Sequence, residues 1–386
     1  MTAGGTPAGL VHGMGRLPAE PDWPPLTDDE VRAVLARYPA AGADRAAVGW
    51  HSPRPMSAAA LVRLPGGTVF VKRHHRRVRS AARLAAEHAF AAHLRAAGIA
   101  VPPVLRTRQG GTTVASHGYL YEVQCPAAGL DLYRDAVSWS PFRSLGHARA
   151  AGAALARLHL AAGGFRRPAS PPGVLTSSVA VITAPDPVAA IARLAARRPA
   201  LARGLAGRDW QRDVGCWLAP ATGRAAPLLA VLPRQWGHGD WHPSNLTWTA
   251  DNPEADVAGV LDLGLANRTF AVHDLATALE RSVVGWLDLP ETGRATADLP
   301  AAAALLAGYE SVRPLTAAEA AALPAVLPAV HAEYALSELE YFAGVVDSPT
   351  NAGLAYAYLI GHARWFGSRE GQALLAHLDR TTRGRS

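Results

Sequence analysis

The chain has 386 residues, enough for one large domain or two of ordinary size, and its 38 Lys or Arg against 31 Asp or Glu give a formal net charge of +7. The positive charges are scattered and accompany no nucleic-acid-binding motif, and no unbroken apolar run reaches about 18 residues, so we expect neither a nucleic-acid nor a membrane partner. The two cysteines, Cys125 and Cys216, lack metal-ligand spacing and are too few for a disulfide framework, which favours a cytoplasmic location.

The first elements in chain order indicate a small, strand-rich lobe. Residues 1–26 are rich in Gly and Pro and predict a flexible leader. Thr27 and Glu30 have the spacing of a capping box, which predicts a helix that ends near Tyr38. Strand patterns follow, with a PGG hairpin turn between the first two. These strands are predicted over 58–64, 68–74, 104–108 and 112–123.

One helix is predicted inside this strand-rich region, over residues 80–98. Leu84, Glu87 and Ala91 fall on one stripe at helical spacing. Gly98 can end the helix, because glycine is favoured just past a helix C-terminus. Glu87 therefore lies on an apolar stripe, where an unpaired charge would be costly.

The rest of the chain is predominantly helical in pattern. A helix is predicted over 144–159, and residues 163–234 have many Pro and Arg and are predicted to be an insertion or lid. A short strand is predicted over 258–263, and 271–380 is mostly helical. The sequence therefore predicts an α+β protein with a small sheet-containing lobe and a larger helical lobe. The predicted divisions are a leader at 1–26, a first lobe at 27–125 and a second lobe at 126–386.

Lys72 is the only lysine, so every other member of the 38 Lys and Arg residues is arginine. This bias indicates that a planar guanidinium does not suit position 72. A compact ammonium acts as a point charge and suits a site between phosphate oxygens. Such an ammonium needs a carboxylate to hold it, and Glu87 on the next helix is the candidate. The alternative is an ordinary edge lysine whose ammonium reaches water.

A second group of polar residues lies in HGDWHPSN (238–245) and LDLG (261–264). Transfer of a phosphoryl group needs a carboxylate beside the acceptor hydroxyl and hard oxygen ligands for magnesium. Asp240 and Asn245 stand five residues apart, so one short loop can place one at the acceptor and the other at the metal. Asp262 follows an apolar strand and precedes Gly264, so its carboxylate can project from a strand end.

Taken together, Lys72, Glu87, the HGD(x4)N loop and the later LDLG resemble the aminoglycoside phosphotransferase and choline kinase family, which is related to the protein kinases. The resemblance covers roughly residues 58–125, 144–160 and 236–280. It implies a protein-kinase-like fold of two lobes, ATP and Mg²⁺ as cofactors, and a small-molecule hydroxyl group as the acceptor of the γ-phosphoryl group. It also implies a role for each matching residue. Asp240 would be the catalytic base or the residue that orients the acceptor hydroxyl. Asn245 and Asp262 would bind magnesium, Lys72 would hold the nucleotide phosphates and Glu87 would hold Lys72. The backbone near Val123 and Cys125 would meet adenine, and Asp274 would brace the catalytic loop.

The acceptor site is less clearly marked in the sequence. Trp241 and His242 flank the predicted base directly and are expected to touch the acceptor. Glu333 and Glu338 lie on a predicted helix that also carries tyrosines, a combination that suits an amine-bearing substrate through ion pairs and cation–π contacts. The alternative is a solvated helix whose aromatic residues pack inward. We expect a monomer or a weak dimer, and the sequence does not identify the acceptor.

Two other functions remain open at this point. His238, Asp240 and His242 form an H-x-D-x-H pattern, and alternate residues of an extended segment share a face, so they could bind metal in a hydrolase. A nucleotide-binding protein that has lost catalysis is the other alternative. The hydrolase leaves Lys72 and Asp262 unexplained, whereas the kinase gives each a role.

Overall fold

The computed structural model describes residues 9–10, 18–19 and 21–383. Most of the predicted leader, 1–26, lies outside these described residues. Within them, strand β1 (Gly9–Leu10) pairs antiparallel with strand β2 (Pro18–Ala19).

Helix α1 (Asp28–Leu35) begins with the predicted capping box. The Thr27 hydroxyl accepts from the backbone N–H of Glu30 at 3.2 Å, and the Glu30 carboxylate accepts from the Thr27 N–H at 3.4 Å. These two bonds satisfy N–H groups that have no partner inside a helix. Val31 and Leu35 of this helix are fully buried, and they pack in the core of the small lobe with residues of the sheet.

The small lobe is built around one five-stranded antiparallel sheet in the order β3-β4-β5-β7-β6. Helix α2 (Ala81–Ala96) follows β5, and Ser80 caps its N-terminus. The predicted hairpin and the predicted helix are both present. The strands are β3 (Ala47–His51), β4 (Ala58–Leu64), β5 (Gly67–His75), β6 (Val114–Ser116) and β7 (Tyr119–Gln124).

Two predicted strands differ from the structure. Residues 104–108 form only one isolated bridge, between Val104 and Gln124, because the segment soon turns away to bond the end of α1 and its own loop. The predicted strand 112–123 is divided into β6 and β7 by a turn at His117 and Gly118, whose φ angles are 46° and 83°. Positive φ angles do not continue a strand.

The large lobe is mainly helical and contains two short strand pairs, β8 with β11 and β9 with β10. Helices α3 and α10 pack with their backbones in close contact, which Gly152 and Gly308 permit because they have no Cβ. A Cβ at Gly152 would clash with the Leu305 carbonyl, and one at Gly308 would clash with the Arg149 carbonyl. The helices are α3 (Leu145–Ala162), α4 (Pro187–Arg197), α5 (Pro199–Leu205), α6 (Trp210–Asp213), α7 (Ala219–Ala230), α8 (Ala271–Val283), α9 (Leu289–Thr292), α10 (Leu299–Glu310), α11 (Ala317–Val326), α12 (Ala332–Gly344), α13 (Pro349–Trp365) and α14 (Arg369–Arg383). The strands are β8 (Gln235–Gly237), β9 (Leu246–Trp248), β10 (Val257–Val260) and β11 (Asn267–Thr269).

The segment 163–234, predicted as an insertion or lid, contains α4 to α7. Leu201, Val214, Leu218 and Leu229 from this segment are buried in the core of the large lobe. Its helices α5 and α7 contact α12 and α11. The segment is thus packed as part of the large lobe, and the predicted domain boundaries stay predictions.

Residues just before α1 join the two lobes. The Trp23 indole stacks on His75 of β5 with ring centroids 4.8 Å apart, and its N–H donates to the Tyr341 hydroxyl of α12 at 3.0 Å. That hydroxyl donates in turn to Asp22 at 2.9 Å.

The predicted fold class, α+β with a sheet-containing lobe and a larger helical lobe, is confirmed. Among residues 9–10, 18–19 and 21–383, no helix combines the length and the apolar composition needed to cross a bilayer.

Candidate active site

A cavity of about 740 Å³ lies between the sheet and the loops of the large lobe. It collects most of the residues that the sequence singled out, although they come from distant parts of the chain. The sheet and α2 supply one wall, and the loops 238–245 and 261–265 supply the other. Seven of the predicted residues line this cavity: Lys72, Glu87, Cys125, Asp240, His242, Asn245 and Asp262.

Asp274, at the start of α8, fixes the loop that carries Asp240. Its carboxylate accepts from the backbone N–H groups of His238 at 2.6 Å and Gly239 at 2.7 Å, and it contacts His159 Nε2 at 3.1 Å. Gly239 has φ +77°, and a Cβ there would clash with the Leu265 carbonyl, so the turn needs glycine. Burial raises the pKa of Asp274, but the bonds from His159 and from the loop outweigh it and hold the pKa below its ordinary value.

Both carboxylate oxygens of Asp240 have partners. Oδ2 accepts from Asn245 Nδ2 at 3.1 Å, and Oδ1 forms an ion pair with Arg281 of α8. His242 Nε2 lies 3.5 Å from Oδ1. The Arg281 guanidinium lies over the rings of Trp139 and Tyr334, at 4.9 and 4.7 Å from their centroids. Asp240 is therefore held in one orientation at the floor of the cavity.

Asn245 and Asp262 present oxygen atoms that fit a magnesium ion. The side chain of Asn245 bonds only through its Nδ2, which donates to the carbonyl and the carboxylate of Asp240, so Oδ1 makes no bond to any described residue. Asp262 has φ 48°, and its Oδ1 accepts from Gly264 N at 3.1 Å. Its side chain is 43% exposed, toward the cavity. One amide oxygen and one carboxylate are the hard donors that magnesium prefers, with waters and phosphates completing its shell.

Lys72 pairs with Asp262 rather than with Glu87. Its Nζ lies 2.9 Å from Asp262 Oδ2. Although burial raises the pKa of Asp262, this ammonium and the Gly264 N–H outweigh it and hold the pKa well below its ordinary value. The predicted pairing of Lys72 with Glu87 is therefore wrong in this structure.

Glu87 is held by two arginines on its own side of the cavity. Its Oε1 lies 3.0 Å from Arg83 Nε, one helical turn earlier, and 3.6 Å from Arg79 Nε. Both arginines also donate to the carbonyl of Gly264, Arg79 at 3.0 Å and Arg83 at 3.1 Å. A guanidinium four residues before a glutamate on the same helix is a ready partner, and this local pairing takes Glu87 from Lys72.

The predicted adenine contacts at Val123 and Cys125 are only partly placed at the cavity. The Val123 side chain is fully buried in the small-lobe core, and its carbonyl accepts from Leu105 N at 2.8 Å. Cys125 lines the cavity, but its N–H donates to Pro103 at 2.9 Å. The Cys125 carbonyl and the Ala127 N–H, two residues on, make no backbone bond to any described residue.

Of the predicted acceptor residues, only His242 reaches the cavity. Trp241 is fully buried, and its ring packs edge-on against His238. Glu333 turns away and accepts from Ser178 and from backbone N–H groups of 181–182. These two predictions of a cavity position are wrong, because each side chain faces the core of the large lobe.

Glu338 lies behind the cavity rather than on its surface. It is 0% exposed, and no described residue makes a hydrogen bond of ordinary geometry to either carboxylate oxygen, although the Tyr334 hydroxyl lies close enough to act on it. Tyr334, one helical turn earlier, does line the cavity. Burial raises the pKa of Glu338 to about 8, although Tyr334 and Arg281 act in the opposite direction.

Sequence reasoning missed two residues of this site, Arg281 and Glu122. Arg281 is one of many arginines, and nothing in the sequence marks it as the partner of Asp240. Glu122 is the residue of β7 directly opposite Lys72 in the sheet, and it lines the cavity. The only signal in the sequence was a glutamate between two apolar residues of a predicted strand. Its meaning depends on which residue it faces on the neighbouring strand, which the sequence alone does not give.

The zinc hydrolase alternative is not supported. His238 is fully buried; its Nε2 donates to the Leu261 carbonyl at 2.8 Å, and its Nδ1 accepts from the backbone N–H of Asp240 at 3.1 Å. Both ring nitrogens of His238 are therefore used in hydrogen bonds to the backbone and are not available to bind a metal. Over the described part of the chain, no group of three or more His, Cys, Asp or Glu side chains is arranged to hold a metal.

Comparison with known families places this site in a class. The profile of the phosphotransferase enzyme family, APH, matches residues 57–315, which include the sheet, the Asp240 loop and α8. The chain belongs to this family, as its sequence motifs predicted, and the predicted class of phosphotransferase is confirmed at the level of the family.

Particular relatives are homoserine kinases. The chain is 30% identical over 262 residues to the homoserine kinase of Methylobacterium radiotolerans, covering 64% of this chain and 66% of that enzyme. It is 36% identical over 115 residues to the homoserine kinase of Gluconobacter oxydans, covering 30% and 33%. These matches span less than two thirds of either relative. The solved structure of a microcompartment-associated aminopropanol kinase shares the fold, with a TM-score of 0.56 and 19% identity over 89% of this chain and 98% of that one.

Proposed function

We propose that this protein is an ATP- and Mg²⁺-dependent kinase that moves the γ-phosphoryl group to a hydroxyl of a small molecule. The observation that carries the proposal is the convergence of Lys72, Asp240, Asn245 and Asp262 on one cavity between the lobes. They come from a strand and from two loops, so their meeting does not follow from local structure. Each has the chemistry that in-line phosphoryl transfer requires.

Asp240 would act at the acceptor. As the acceptor oxygen bonds to the γ-phosphorus, its proton passes to Asp240, and the bond from that phosphorus to its bridging oxygen breaks to release ADP. Asn245 and Arg281 hold the carboxylate in one orientation, so little reorganisation is needed at the moment of transfer. The brace from Asp274 fixes the backbone on which this geometry depends.

Asn245 Oδ1 and the Asp262 carboxylate would hold the magnesium ion, which neutralises charge on the phosphates when bound. Lys72 would leave Asp262 to contact the phosphates. The Cys125 carbonyl and the Ala127 N–H belong to residues that line the cavity, and they are main-chain groups with capacity to bond the base. We expect such an ATP-using enzyme to be cytoplasmic.

We propose further that the acceptor bears an amine. The support is Glu338, a buried carboxyl that receives no hydrogen bond of ordinary geometry from the described residues and lies one helical turn after Tyr334 of the cavity wall. An ammonium group would supply the missing hydrogen bonds and a charge opposite to that of the carboxylate. The homoserine kinases and the aminopropanol kinase named above are consistent with it, since homoserine and aminopropanol carry both an amine and a hydroxyl.

The test is a panel of amino alcohols, hydroxy amino acids and amino sugars incubated with ATP and magnesium, analysed by mass spectrometry for the gain of one phosphoryl group. Each amine is paired with its deaminated analogue, which should be a poor acceptor. Asp240→Asn should stop the transfer while ATP still binds. ATP binding without transfer to any hydroxyl compound would instead favour a protein that has lost catalysis.

A further inference from the structure

Lys72 has a second carboxylate beside it, in the sheet. Lys72 of β5 and Glu122 of β7 are directly paired residues of the antiparallel ladder, so their side chains project from the same face, and both line the cavity. Asp262 and Glu122 are the carboxylates that favour the charged form of Lys72 against its burial. Asp262 is expected to bind metal in the working enzyme, and Lys72 then needs another negative partner.

Glu122 is built to remain in place. It is 4% exposed, and its two oxygens contact the Nε2 atoms of His74, at 3.0 Å, and His88. His88 Nδ1 lies 2.8 Å from the Thr112 hydroxyl, which can donate to it and leave Nε2–H to donate to Glu122. Burial raises the pKa of Glu122, but the two histidines outweigh it and hold the pKa well below its ordinary value. A fixed, ionised carboxylate therefore stands next to Lys72.

Glu87, the residue that the resemblance assigned to Lys72, has other partners. It holds Arg83 and Arg79, and both arginines donate to the carbonyl of Gly264. Gly264 N in turn donates to Asp262. Glu87 is thus connected through two arginines to the loop that carries Asp262.

We infer that the two glutamates have separate roles. Glu122, held by His74 and His88, is the residue that positions Lys72 for the nucleotide phosphates, whereas Glu87 positions the Asp262 loop. This inference rests on the proposed function. It assigns the lysine's support to the sheet, so the position of Lys72 does not depend on a salt bridge to α2. Both glutamates are positioning residues, since each acts through another group.

A double-mutant cycle on nucleotide affinity tests the inference. Calorimetric titration with ATP and with MgATP is performed on Glu122→Gln, Glu87→Gln, Lys72→Met and the two double variants with Lys72→Met. Glu122→Gln should weaken the binding of ATP without metal by about tenfold, which is the scale of one well-placed charge. That loss should disappear in the Lys72→Met background, because Glu122 acts through Lys72.

Glu87→Gln is the matched control, since it makes the same chemical change on the same wall of the cavity, in α2 rather than in the sheet. It should leave binding of metal-free ATP within about twofold and instead raise the magnesium concentration needed for tight binding about tenfold. Its effect should persist with Lys72→Met. The reverse pattern, with Glu87→Gln coupled to Lys72 and Glu122→Gln silent, would overturn the inference.

The fold of each variant is checked by its thermal unfolding. Should Glu122→Gln unfold at a much lower temperature, Glu122→Asp replaces it, because the shorter carboxylate can still pair with the histidines. Glu122→Asp should weaken the binding of metal-free ATP by about threefold, again only when Lys72 is present. An unchanged affinity in Glu122→Asp would contradict the inference. Failure of the wild-type protein to bind ATP would instead contradict the proposed function, so the two failures are distinct.

Discussion

Two carboxylates in the large lobe are equally buried but differently satisfied. Asp274 and Glu338 are both 0% exposed. Asp274 accepts hydrogen bonds from two backbone N–H groups of the loop that carries Asp240, and it contacts His159. Glu338 receives no hydrogen bond of ordinary geometry from the described residues, and the charged groups that interact with it include Arg281 and Glu280.

The difference separates a structural brace, Asp274, from a carboxyl that we propose binds the acceptor. Burying an ionised carboxylate costs several kcal/mol unless hydrogen bonds and opposite charges replace its water. Asp274 has that replacement, and its pKa lies below the ordinary value despite burial. Glu338 does not, and burial raises its pKa to about 8. Natural proteins rarely keep an unsatisfied buried group without a functional reason, which is why we place the acceptor's amine there.

Removal of the brace should have the largest effect. Asp274→Ala leaves the N–H groups of His238 and Gly239 buried without acceptors, so the free energy of unfolding should fall by about 3–5 kcal/mol. Urea denaturation measures it. Glu338→Gln, at equal burial, is the control and should not lower stability at pH 7. Equal losses in the two variants would remove the distinction between the carboxylates.

The unsatisfied carboxyl should make stability depend on pH. The pKa of Glu338 is raised to about 8 in the folded protein, so its contribution is fully present below the pKa of an unfolded glutamate, about 4.3, and is lost as pH rises toward 8. Between pH 5 and 7 the wild type should lose about 2 kcal/mol relative to Glu338→Gln. Urea unfolding at each pH measures both proteins, and parallel curves would contradict the prediction. Tyr334, Arg281 and Glu280 face the same carboxyl and are present in both.

Local patterns allowed much of the fold to be predicted. The capping box at Thr27, the hairpin of β4 and β5, and helices α2 and α3 follow from short-range rules of spacing and turn chemistry. The division of 112–123 into two strands was missed because nothing in His117 demands the positive φ that it adopts. Strand β3 was missed because its half-buried residues do not form a clear alternation.

The site residues that belong to a sequence motif could be predicted, whereas the ion-pair partners of those residues could not. Asp240, Asn245 and Asp262 lie on loops whose sequence defines their positions, and they reach one cavity. The partner of Lys72 depended on a competition between a local arginine, Arg83, and a distant lysine for Glu87. Sequence spacing cannot rank such alternatives, because each depends on side-chain geometry in the folded chain.

Glu338 should also control the acceptor, with a smaller effect. Glu338→Gln keeps the shape of the side chain but cannot ionise against an ammonium, so the KM for the amine acceptor should rise about tenfold while the KM for ATP is unchanged. Steady-state kinetics at pH 7 measure both. Glu333→Gln is the matched control, because Glu333 is buried on the same helix but its carboxylate already accepts from Ser178 and from backbone N–H groups. A similar rise in both variants would place the effect in α12 as a whole.

Trp241 should have the smallest effect on the acceptor, although it follows the proposed catalytic residue, Asp240, directly in sequence. Its ring is 0% exposed and contacts His238 edge-on, while the next residue, His242, lines the cavity. Trp241→Phe keeps an aromatic ring in the core, so the acceptor KM should change by less than about twofold, or about 0.4 kcal/mol. His242→Ala should raise that KM by more, because it removes a side chain from the cavity wall. If kinetics with the same acceptor reversed this order, the backbone of the loop would have to turn Trp241 toward the acceptor when substrate binds, and the bonds from Asp274 that now fix the loop would have to yield.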